Sequence, residues 1–374
     1  MKKSTLLYVV SSMRHCGPTN QLYYLINNLD KNKFIPVILT LSKEPENSKI
    51  NDFKQLDVPI YTLSLRRFES FIKAKKVLRK IVSEIKPDLI HSQGIRPDIM
   101  VNKHLENHLH VATLRNFPYD DYPMKFGKIM GQLMAKSHIK ALKKIKNLVT
   151  VSNANANRVK KLGVEIKTIQ NGVDNKKYTP TEKKDRKTLL KKYALPDDKG
   201  IFISVGSLIS LKDPETIIKG FLGYSKNNKF CLVFLGEGPL FNTLIEKYEG
   251  HENIMFKGNQ SNVVDFLKAS DYFISASLSE GMPNTVLEAL SCGIPVCLSS
   301  IEPHEEILSF NNQAGVTFRT SNINDLTEKI EKLINDVSYE SRRKAGLTLI
   351  KENLSAEIMT KKYMSLYEEI LQND

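Results

Sequence analysis

Two glutamates in the second half of the chain have the spacing to bind a ligand that carries both hydroxyl groups and negative charge. Glu280 and Glu288 are separated by seven residues in the segment SEGMPNTVLEALSCGIPV. A carboxylate accepts hydrogen bonds from the vicinal hydroxyls of a sugar or a ribose. Pro283 is typical of a first helical turn, and the N–H groups at a helix N-terminus attract anions. One interpretation is that Glu280 holds a sugar, Glu288 holds a ribose, and the helix end faces the charge between them. The alternative for either glutamate is surface solvation.

Two other segments lie where strands are expected to end, and each has a phosphate-binding feature. The segment VGSLISLKD places Lys212 just after a strand, where an ammonium group suits a diphosphate, although such a lysine is often only solvated. The turn GPTN, which begins at Gly17, leads into a helix and would expose backbone N–H groups to a phosphate, although a simple tight turn has the same pattern. The first strand is followed by neither G-x-G-x-x-G nor G-x-x-x-x-G-K-[ST], which argues against a dinucleotide dehydrogenase and a P-loop NTPase.

The elements that must position these residues alternate between strands and helices in two successive series. This pattern predicts an α/β protein with two doubly wound, Rossmann-like parallel-sheet domains. The predicted N-terminal domain spans 1–172 and the C-terminal domain 173–355, and a last helix over 356–374 is expected to pack back on the N-terminal domain. Ligands bind at the carboxyl ends of parallel strands, so the loops there are expected to line an interdomain cleft.

Composition and cysteine content are those of an ordinary globular protein. The 374 residues are 41% hydrophobic and 26% charged, and no apolar run approaches the ~20 residues that span a bilayer. The four cysteines form no C-x-x-C pair, which favours reduced thiols in the cytosol. The start, MKKSTLLYVV, resembles a short signal peptide, but a buried first strand from Leu6 to Val10 is the better interpretation.

The net charge of +14 is concentrated in the first half of the chain. Residues 1–174 hold 30 Lys and Arg against 14 Asp and Glu, a net charge of +16, and the remainder holds 25 against 27, a net charge of −2. A predicted helix over Lys125–Lys146 has seven lysines and no acidic residue. Such a helix suits an anionic membrane surface, or it packs on the core with a solvated basic face. Its apolar positions are Phe126, Ile129, Met130, Leu133, Met134, Ala141, Leu142 and Ile145.

The motifs taken together resemble a known enzyme family. EGMPNTVLE matches the E-x7-E motif of retaining nucleotide-sugar glycosyltransferases with the GT-B fold, and the wider segment is similar to glycosyltransferase family 4. The segments GPTNQL, IQNGVD, VGSL…LKD, LGEGPL, FKGNQSNVVDFLKASDYFISAS and PHEEIL occur in the order that the family shows. The resemblance covers most of the chain. It implies a GT-B fold whose N-terminal domain binds the acceptor and whose C-terminal domain binds the nucleotide-sugar donor.

The resemblance also implies roles for individual residues. Glu280 would contact the donor sugar, Glu288 the ribose, and Lys212 the diphosphate. The family often has Gly-Arg and Thr-x-His where this chain has Gly206-Ser207 and Thr113-Leu114-Arg115, so Arg115 is a candidate for the missing phosphate-binding cation. The expected catalytic residues are Glu280, Arg115 and Lys212. Further donor-binding positions implied are Gly17, Gly206, Ser207, Gly236, Gly281, Met282, Pro283, Asn284 and Thr285.

The expected function is that of a retaining, metal-independent hexosyltransferase. It would transfer a sugar from a nucleotide-sugar, with UDP expected from family frequency, to a lipid-linked saccharide of a bacterial capsule, exopolysaccharide or lipopolysaccharide. No cofactor and no nucleic acid are expected, and the protein would be cytoplasmic and peripheral at the inner face of the plasma membrane. Asp120 and Asp121 are interpreted as acceptor-side or structural. The alternatives are another GT-B enzyme, such as a sugar-nucleotide epimerase or a phosphorylase, a non-catalytic nucleotide-sugar binding protein, and a nucleic-acid-binding protein.

Overall fold

The computed structural model describes residues 3–63, 74–224, 226–335 and 338–373. The chain divides into two compact units, each with one parallel β-sheet. The first unit, here the N-terminal domain, contains Met1–Gly172 and Ala356–Asp374. The second unit, here the C-terminal domain, contains Val173–Ser355.

The sheet of the N-terminal domain has seven strands. They are β1 (Ser4–Val10), β2 (Phe34–Thr40), β3 (Ile60–Thr62), β4 (Leu89–Gln93), β5 (His110–Leu114), β6 (Asn147–Thr150) and β7 (Lys167–Thr168). Their order is β3-β2-β1-β4-β5-β6-β7, and all neighbouring pairs are parallel. The central strand β1 is almost entirely apolar because helices cover both faces of the sheet. The strand order reverses between β1 and β4, where ligands bind in open sheets of this kind.

The helices of the N-terminal domain follow the strands in the chain. They are α1 (Gly17–Asn27), α2 (Ile50–Lys54), α3 (Ala74–Ile85), α4 (Ile95–His104), α5 (Pro118–Phe126), α6 (Lys128–Leu142) and α7 (Asn153–Lys160). The segment IRPD forms the first turn of α4. The basic helix α3 is described from Ala74 onward.

The sheet of the C-terminal domain has six parallel strands. They are β8 (Gly200–Val205), β9 (Phe230–Leu235), β10 (Ile254–Phe256), β11 (Tyr272–Ser275), β12 (Val296–Ser299) and β13 (Gly315–Phe318). Their order is β10-β9-β8-β11-β12-β13, which is the strand order 3-2-1-4-5-6 of a Rossmann fold. The predicted class, two Rossmann-like parallel-sheet domains, is confirmed.

The helices of the C-terminal domain and the last helix of the chain complete the fold. They are α8 (Lys183–Lys192), α9 (Pro214–Gly223), α10 (Phe241–Lys247), α11 (Val263–Ala269), α12 (Asn284–Ser291), α13 (Glu302–Ser309), α14 (Ile323–Asn335), α15 (Tyr339–Leu349) and α16 (Ala356–Gln372). Helix α15 continues as one π turn over Ile350–Leu354, directly before the chain returns to the N-terminal domain.

Helix α16 packs against α1 and closes the core of the N-terminal domain. Its Tyr363 and Tyr367 are fully buried and reach polar groups of the central strands. The Tyr367 hydroxyl lies 2.7 Å from Nδ1 of His91, and the Tyr363 hydroxyl lies 3.0 Å from Oγ1 of Thr113. Because these polar groups satisfy one another, the aromatic face of α16 can be buried without loss of hydrogen bonds.

The predicted single helix over Lys125–Lys146 is wrong, because the chain breaks at Gly127 into α5 and α6. Gly127 has φ +81°, a backbone conformation that glycine adopts at little cost. The two helices then cross at Gly131, where a Cβ atom would lie 2.3 Å from Cα of Pro123. The apolar residues expected on one face also divide: Leu142 and Ile145 are buried, whereas several near the break are exposed.

Across the described ranges, no helix combines the length and the apolar character needed to cross a bilayer.

Candidate active site

A small recess in the C-terminal domain lies at the carboxyl ends of β8 and β11, on the two sides of the sheet's switch point. It brings together the loop after β8, the turn that precedes α9, and the segment between β11 and α12. Its lining residues are Ser204, Val205, Gly206, Ser207, Leu208, Lys212, Pro214, Ile217, Ser275, Ser277, Glu280 and Thr285. Two of the three expected catalytic residues, Lys212 and Glu280, therefore meet in one place with three of the further donor-binding positions, Gly206, Ser207 and Thr285.

Lys212 and Glu280 form an ion pair in this recess. The Lys212 ammonium donates a hydrogen bond to Oε1 of Glu280, and the Ser277 hydroxyl donates to the same oxygen at 2.8 Å. The Glu280 side chain is 14% exposed and that of Lys212 is 31% exposed. Burial alone would raise the pKa of Glu280, but the Lys212 ammonium and these hydrogen bonds hold it below its ordinary value. Glu280 is therefore ionised at neutral pH, and its charge faces that of Lys212.

The position of Lys212 is fixed by a strained turn. Lys212 ends a 3₁₀ turn over Ser210–Lys212, and the next residue, Asp213, has φ +44°. The Asp213 carboxylate caps α9 by accepting from the backbone N–H of Thr216 at 3.4 Å, and it also accepts a 2.8 Å hydrogen bond from the Thr216 hydroxyl. The backbone N–H of Leu278 also donates to the carbonyl of Leu211 at 2.8 Å, which joins this turn to the segment that carries Glu280.

The glycines after β8 and β9 pack against each other behind the recess. Gly206 lines the recess. Gly236 has φ +126°, and a Cβ atom at this position would lie 2.1 Å from the Gly206 carbonyl oxygen. Ser207 is exposed beside Gly206. Gly236, expected to bind the donor, is outside the lining set and instead supports the loop that Gly206 belongs to.

The segment with the two glutamates folds as a buried turn followed by a helix. Gly281, Met282 and Pro283 are buried, Pro283 is the N-cap residue, and α12 begins at Asn284. The Pro283 side chain forms no capping hydrogen bond. Glu288 lies in the second turn of α12 and is only 5% exposed. Surface solvation of Glu288 is therefore wrong, and a buried carboxylate there needs polar or charged partners.

The surroundings of Glu280 include polar residues that sequence reasoning missed. Ser299 donates a 2.6 Å hydrogen bond to the backbone carbonyl of Ser277, and Nδ1 of His304 lies 2.9 Å from the Ser299 carbonyl. Burial lowers the pKa of His304 to about 4, although the Glu280 charge raises it. His304 is then neutral at pH 7, so Nδ1 donates and Nε2 is an acceptor. Nε2 has no hydrogen-bond partner among the described residues. The segment PHEEIL was the only signal for it.

Arg115 lies in the N-terminal domain, after the last residue of β5. Its guanidinium donates to Oδ1 of Asn171 at 2.9 Å and to Oε1 of Gln93 at 2.8 Å. No ion pair in the described part of the chain involves Arg115, and its Nε is buried without a hydrogen-bond partner. Burial lowers the pKa of Arg115, but a guanidinium remains charged in proteins. The positive charge is thus oriented by neutral amides and is not neutralised.

The start of α1 lies close to Arg115. Cys16 is the N-cap residue of α1 and Gly17 its first residue, and Cys16 is near enough to affect the pKa of Arg115. Gln21 in α1 donates a 2.7 Å hydrogen bond to the carbonyl of Gly172 and fixes the helix against the chain that follows β7. Gly17 is therefore part of a helix N-terminus, as expected, in a region with an unneutralised arginine.

The two aspartates of YDDY form ion pairs. Asp120 accepts two hydrogen bonds from Arg158, at 2.6 and 2.8 Å, and Asp121 pairs with Lys125. Nowhere in the described ranges do three His, Cys, Asp or Glu residues come close enough to hold a metal ion. The described cysteines, of which Cys16 is exposed, are free thiols.

Sequence families and known folds match these two domains. The family described as Glycosyltransferase Family 4 matches residues 16–177, and the family described as Glycosyl transferases group 1 matches residues 185–347. HepE of Anabaena, crystallised with UDP-glucose, superposes with a TM-score of 0.83 at 13% identity and covers 98% of this chain and 100% of its own. The two family models together match most of the chain, which therefore belongs to the GT-B glycosyltransferases. The resemblance to glycosyltransferase family 4 is confirmed, and the assignment of EGMPNTVLE to the E-x7-E motif stays a prediction.

Curated relatives come from bacteria and archaea. The O-antigen biosynthesis glycosyltransferase WclY of Escherichia coli is 24% identical over 98% of this chain and 99% of its own length. The UDP-Gal:alpha-D-GlcNAc-diphosphoundecaprenol alpha-1,3-galactosyltransferase of Escherichia coli is 27% identical over 82% of this chain and 84% of its own. Two other relatives match over shorter regions, and the chain spans 55% and 59% of their lengths.

Proposed function

We propose that this protein is a retaining hexosyltransferase that moves a sugar from a UDP-sugar to a lipid-linked saccharide during synthesis of a bacterial surface polysaccharide. The observation that carries the proposal is the recess of the C-terminal domain, where Lys212 and Glu280 meet beside the start of α12. One relative is named for O-antigen biosynthesis, and another for a UDP-Gal donor and a diphosphoundecaprenol-linked acceptor. These names support the donor and acceptor classes.

In this proposal the recess binds the sugar and diphosphate of the donor. The Lys212 ammonium contacts the diphosphate, and the backbone of Ser207 and of the first turn of α12 adds N–H donors. The Glu280 carboxylate accepts hydrogen bonds from sugar hydroxyls, and that of Glu288 accepts them from the ribose. Support comes from the burial of both carboxylates and from the fixed, ionised state of Glu280.

The proposed chemistry keeps the anomeric configuration of the sugar. The acceptor hydroxyl oxygen bonds to C1 of the sugar on the face from which the diphosphate departs. The bond between C1 and the phosphate oxygen breaks, its electron pair leaves with UDP, and a phosphate oxygen takes the hydroxyl proton. Lys212 and the N–H groups of α12 stabilise the charge that develops on the leaving group. This mechanism assigns no step to a metal ion or to a protein base.

Arg115 is proposed to bind a substrate phosphate. Two neutral amide oxygens, from Gln93 and Asn171, orient its guanidinium and leave its charge available. A buried cation without a carboxylate partner is costly unless an anion binds it. Its role compensates for Ser207, which stands where the family often has an arginine.

The protein is proposed to work at the cytoplasmic face of the plasma membrane, as a peripheral protein. A polyprenyl-linked acceptor resides in the bilayer, whereas nucleotide sugars are dissolved in the cytosol. An enzyme that joins the two must therefore meet the membrane surface from the cytosolic side.

Calorimetric titration with UDP and with GDP, in the presence of EDTA, tests the donor site. We expect UDP to bind without metal, and Glu288→Gln to weaken binding at least tenfold, about 1.4 kcal/mol. The matched control is Glu215→Gln, which removes an exposed ion-paired carboxylate of the same domain outside the recess. Failure of both nucleotides to bind would contradict the proposal. Conversion of the sugar nucleotide without an acceptor would instead identify an epimerase.

A further inference from the structure

The break between α5 and α6 presents a cluster of exposed apolar side chains. We define the apolar tip as Met124, Phe126, Ile129, Met130 and Leu133. Ile129 is 81% exposed and Leu133 59% exposed, values that are unusual for such residues in a helix. Ten large apolar side chains are exposed in the described part of the chain, and five of them lie in this ten-residue stretch. Contiguous exposed apolar residues of this kind mark a binding surface.

The apolar tip is held rigidly in its exposed position by the opposite face of α6. Gly131 fits against Pro123 of α5 with no room for a side chain. His138 is buried; its Nε2 lies 2.9 Å from Oδ2 of Asp98, and its Nδ1 lies 2.6 Å from the Tyr122 hydroxyl oxygen. These buried polar contacts join α6 to α4 and α5, so the apolar tip cannot turn inward without breaking them.

The same outer face of α6 becomes basic beyond Leu133. Lys136, Lys140 and Lys144 are here called the basic face. The spacings from Ile129 and Leu133 to Lys136 and Lys140 keep these residues on one side of α6, and Lys144 lies in the turn that follows the helix. An open groove of about 680 Å³ borders Lys140 and Lys144 and is also lined by Lys103 and Glu106. From Tyr122 to Val164 the sequence has no acidic residue.

We propose that the apolar tip inserts into the interfacial region of an anionic phospholipid membrane while the basic face binds the lipid headgroups. Charge complementarity favours this partner. The lysines of this stretch have no acidic residue among them in the sequence, so they attract a continuous anionic surface and do not select a partner with a fixed pattern of both charges. Flexible methionine, isoleucine and leucine side chains suit acyl chains, which impose no fixed shape. The inference rests on the proposed lipid-linked acceptor for its purpose, since that substrate must be reached at a bilayer.

Insertion is measured first by fluorescence, because the chain has no tryptophan of its own. Phe126→Trp places a single reporter in the apolar tip, and Phe310→Trp places one at an exposed apolar site of the C-terminal domain. With vesicles of phosphatidylcholine and phosphatidylglycerol, we expect a blue shift and quenching by brominated acyl chains for Phe126→Trp only. Equal emission from the two variants, with no quenching of either, would overturn the proposal.

Co-sedimentation with the same vesicles then separates the two parts of the surface. Lys136→Gln with Lys140→Gln should weaken binding on the order of tenfold or more at low salt, since each lysine near an anionic surface contributes about a factor of five. The matched control is Lys187→Gln with Lys191→Gln, which removes two exposed lysines of α8. Leu133→Gln should reduce binding without changing its salt dependence.

The outcomes are independent of the transfer reaction, because no donor or acceptor is present. Equal losses in both double-lysine variants would mean that net charge alone drives binding, and the proposal would fail. Binding of UDP without binding of vesicles would also overturn it while leaving the donor site intact, and would direct attention to a protein partner for the apolar tip. Vesicle binding without UDP binding would instead contradict only the proposed function.

Discussion

Replacing Glu280 by glutamine should strengthen the binding of UDP although Glu280 belongs to the proposed donor site. In the free protein the carboxylate neutralises Lys212, the cation proposed to bind the diphosphate. Glu280→Gln removes this competing charge but keeps an oxygen that accepts the 2.8 Å hydrogen bond from Ser277. The substitution is nearly isosteric, so the recess should keep its shape.

The size of the effect follows from the distances in the recess. A phosphate oxygen in contact with Lys212 would lie roughly 5 Å from the Glu280 carboxylate, and the repulsion at an effective dielectric constant of about 20 is ~3 kcal/mol. Lys212 is 31% exposed and can move toward the ligand, so part of this repulsion is already relieved in the wild type. We therefore expect a gain of about 1 to 2 kcal/mol, or roughly 5- to 30-fold tighter binding.

The assay is calorimetric titration of wild type, Glu280→Gln and Glu215→Gln with UDP. UDP is the probe because it contains the diphosphate without requiring the identity of the sugar. The control variant loses a carboxylate that pairs with Lys219 and Lys247 at the surface, and its UDP affinity should equal that of the wild type. Turnover of the UDP-sugar should fall in Glu280→Gln, since the hydrogen-bond acceptor for the sugar is weakened.

A weaker affinity of Glu280→Gln for UDP, measured well below the melting temperature of the variant, would refute the reasoning. It would mean that the carboxylate helps UDP binding by positioning Lys212 more than it hinders binding by neutralising the Lys212 charge. An unchanged affinity in both variants would place the diphosphate away from Lys212.

Three further predictions concern neighbouring parts of the two domains. Gln93→Glu should reduce the rate of transfer about tenfold or more, because a carboxylate 2.8 Å from Arg115 neutralises the guanidinium. The melting temperature should change little, since the amide nitrogen that is replaced has no hydrogen-bond partner in the described chain. Gly236→Ala should lower the melting temperature and weaken UDP binding, since its Cβ would meet the Gly206 carbonyl oxygen at 2.1 Å. Wild type should melt at a higher temperature than Glu280→Gln at pH 7, because the depressed folded-state pKa of Glu280 means that its ionised form stabilises the fold. This difference should shrink as the pH falls below about 4.5, since protonation of Glu280 removes the ion pair.

The fold and much of the donor recess could be predicted from the sequence because their signals are local. Apolar runs separated by helical patterns define a doubly wound sheet wherever they occur. Lys212 follows Gly206 by six residues, and Pro283 lies between Glu280 and Glu288. Each group is contiguous in the chain, so its placement at the sheet edge follows from the sheet itself. Glu280 and Glu288 were found by spacing alone.

The rest could not be predicted because it depends on contacts between distant segments. Ser299 and His304 come close to the segment that carries Glu280 only through the pairing of β11 with β12. The segment PHEEIL marks His304 in the sequence but does not indicate this proximity. The break at Gly127 was missed because helical periodicity runs through a glycine without a visible interruption. Periodicity also cannot say which apolar residues of α6 are buried, since Leu133 and Leu142 look alike until the sheet is in place.

The two cations of the candidate sites are held in opposite ways, and this difference has a consequence for binding. Arg115 is oriented by neutral amides, so its charge is available to an anion before any ligand arrives. Lys212 is paired with a carboxylate, so an anion must compete for it. A diphosphate alone gains less from Lys212 than a donor whose sugar hydroxyls engage Glu280 at the same time. Under the proposed function, the ion pair thereby favours an intact nucleotide-sugar over the nucleotide product, as an enzyme that must release UDP requires.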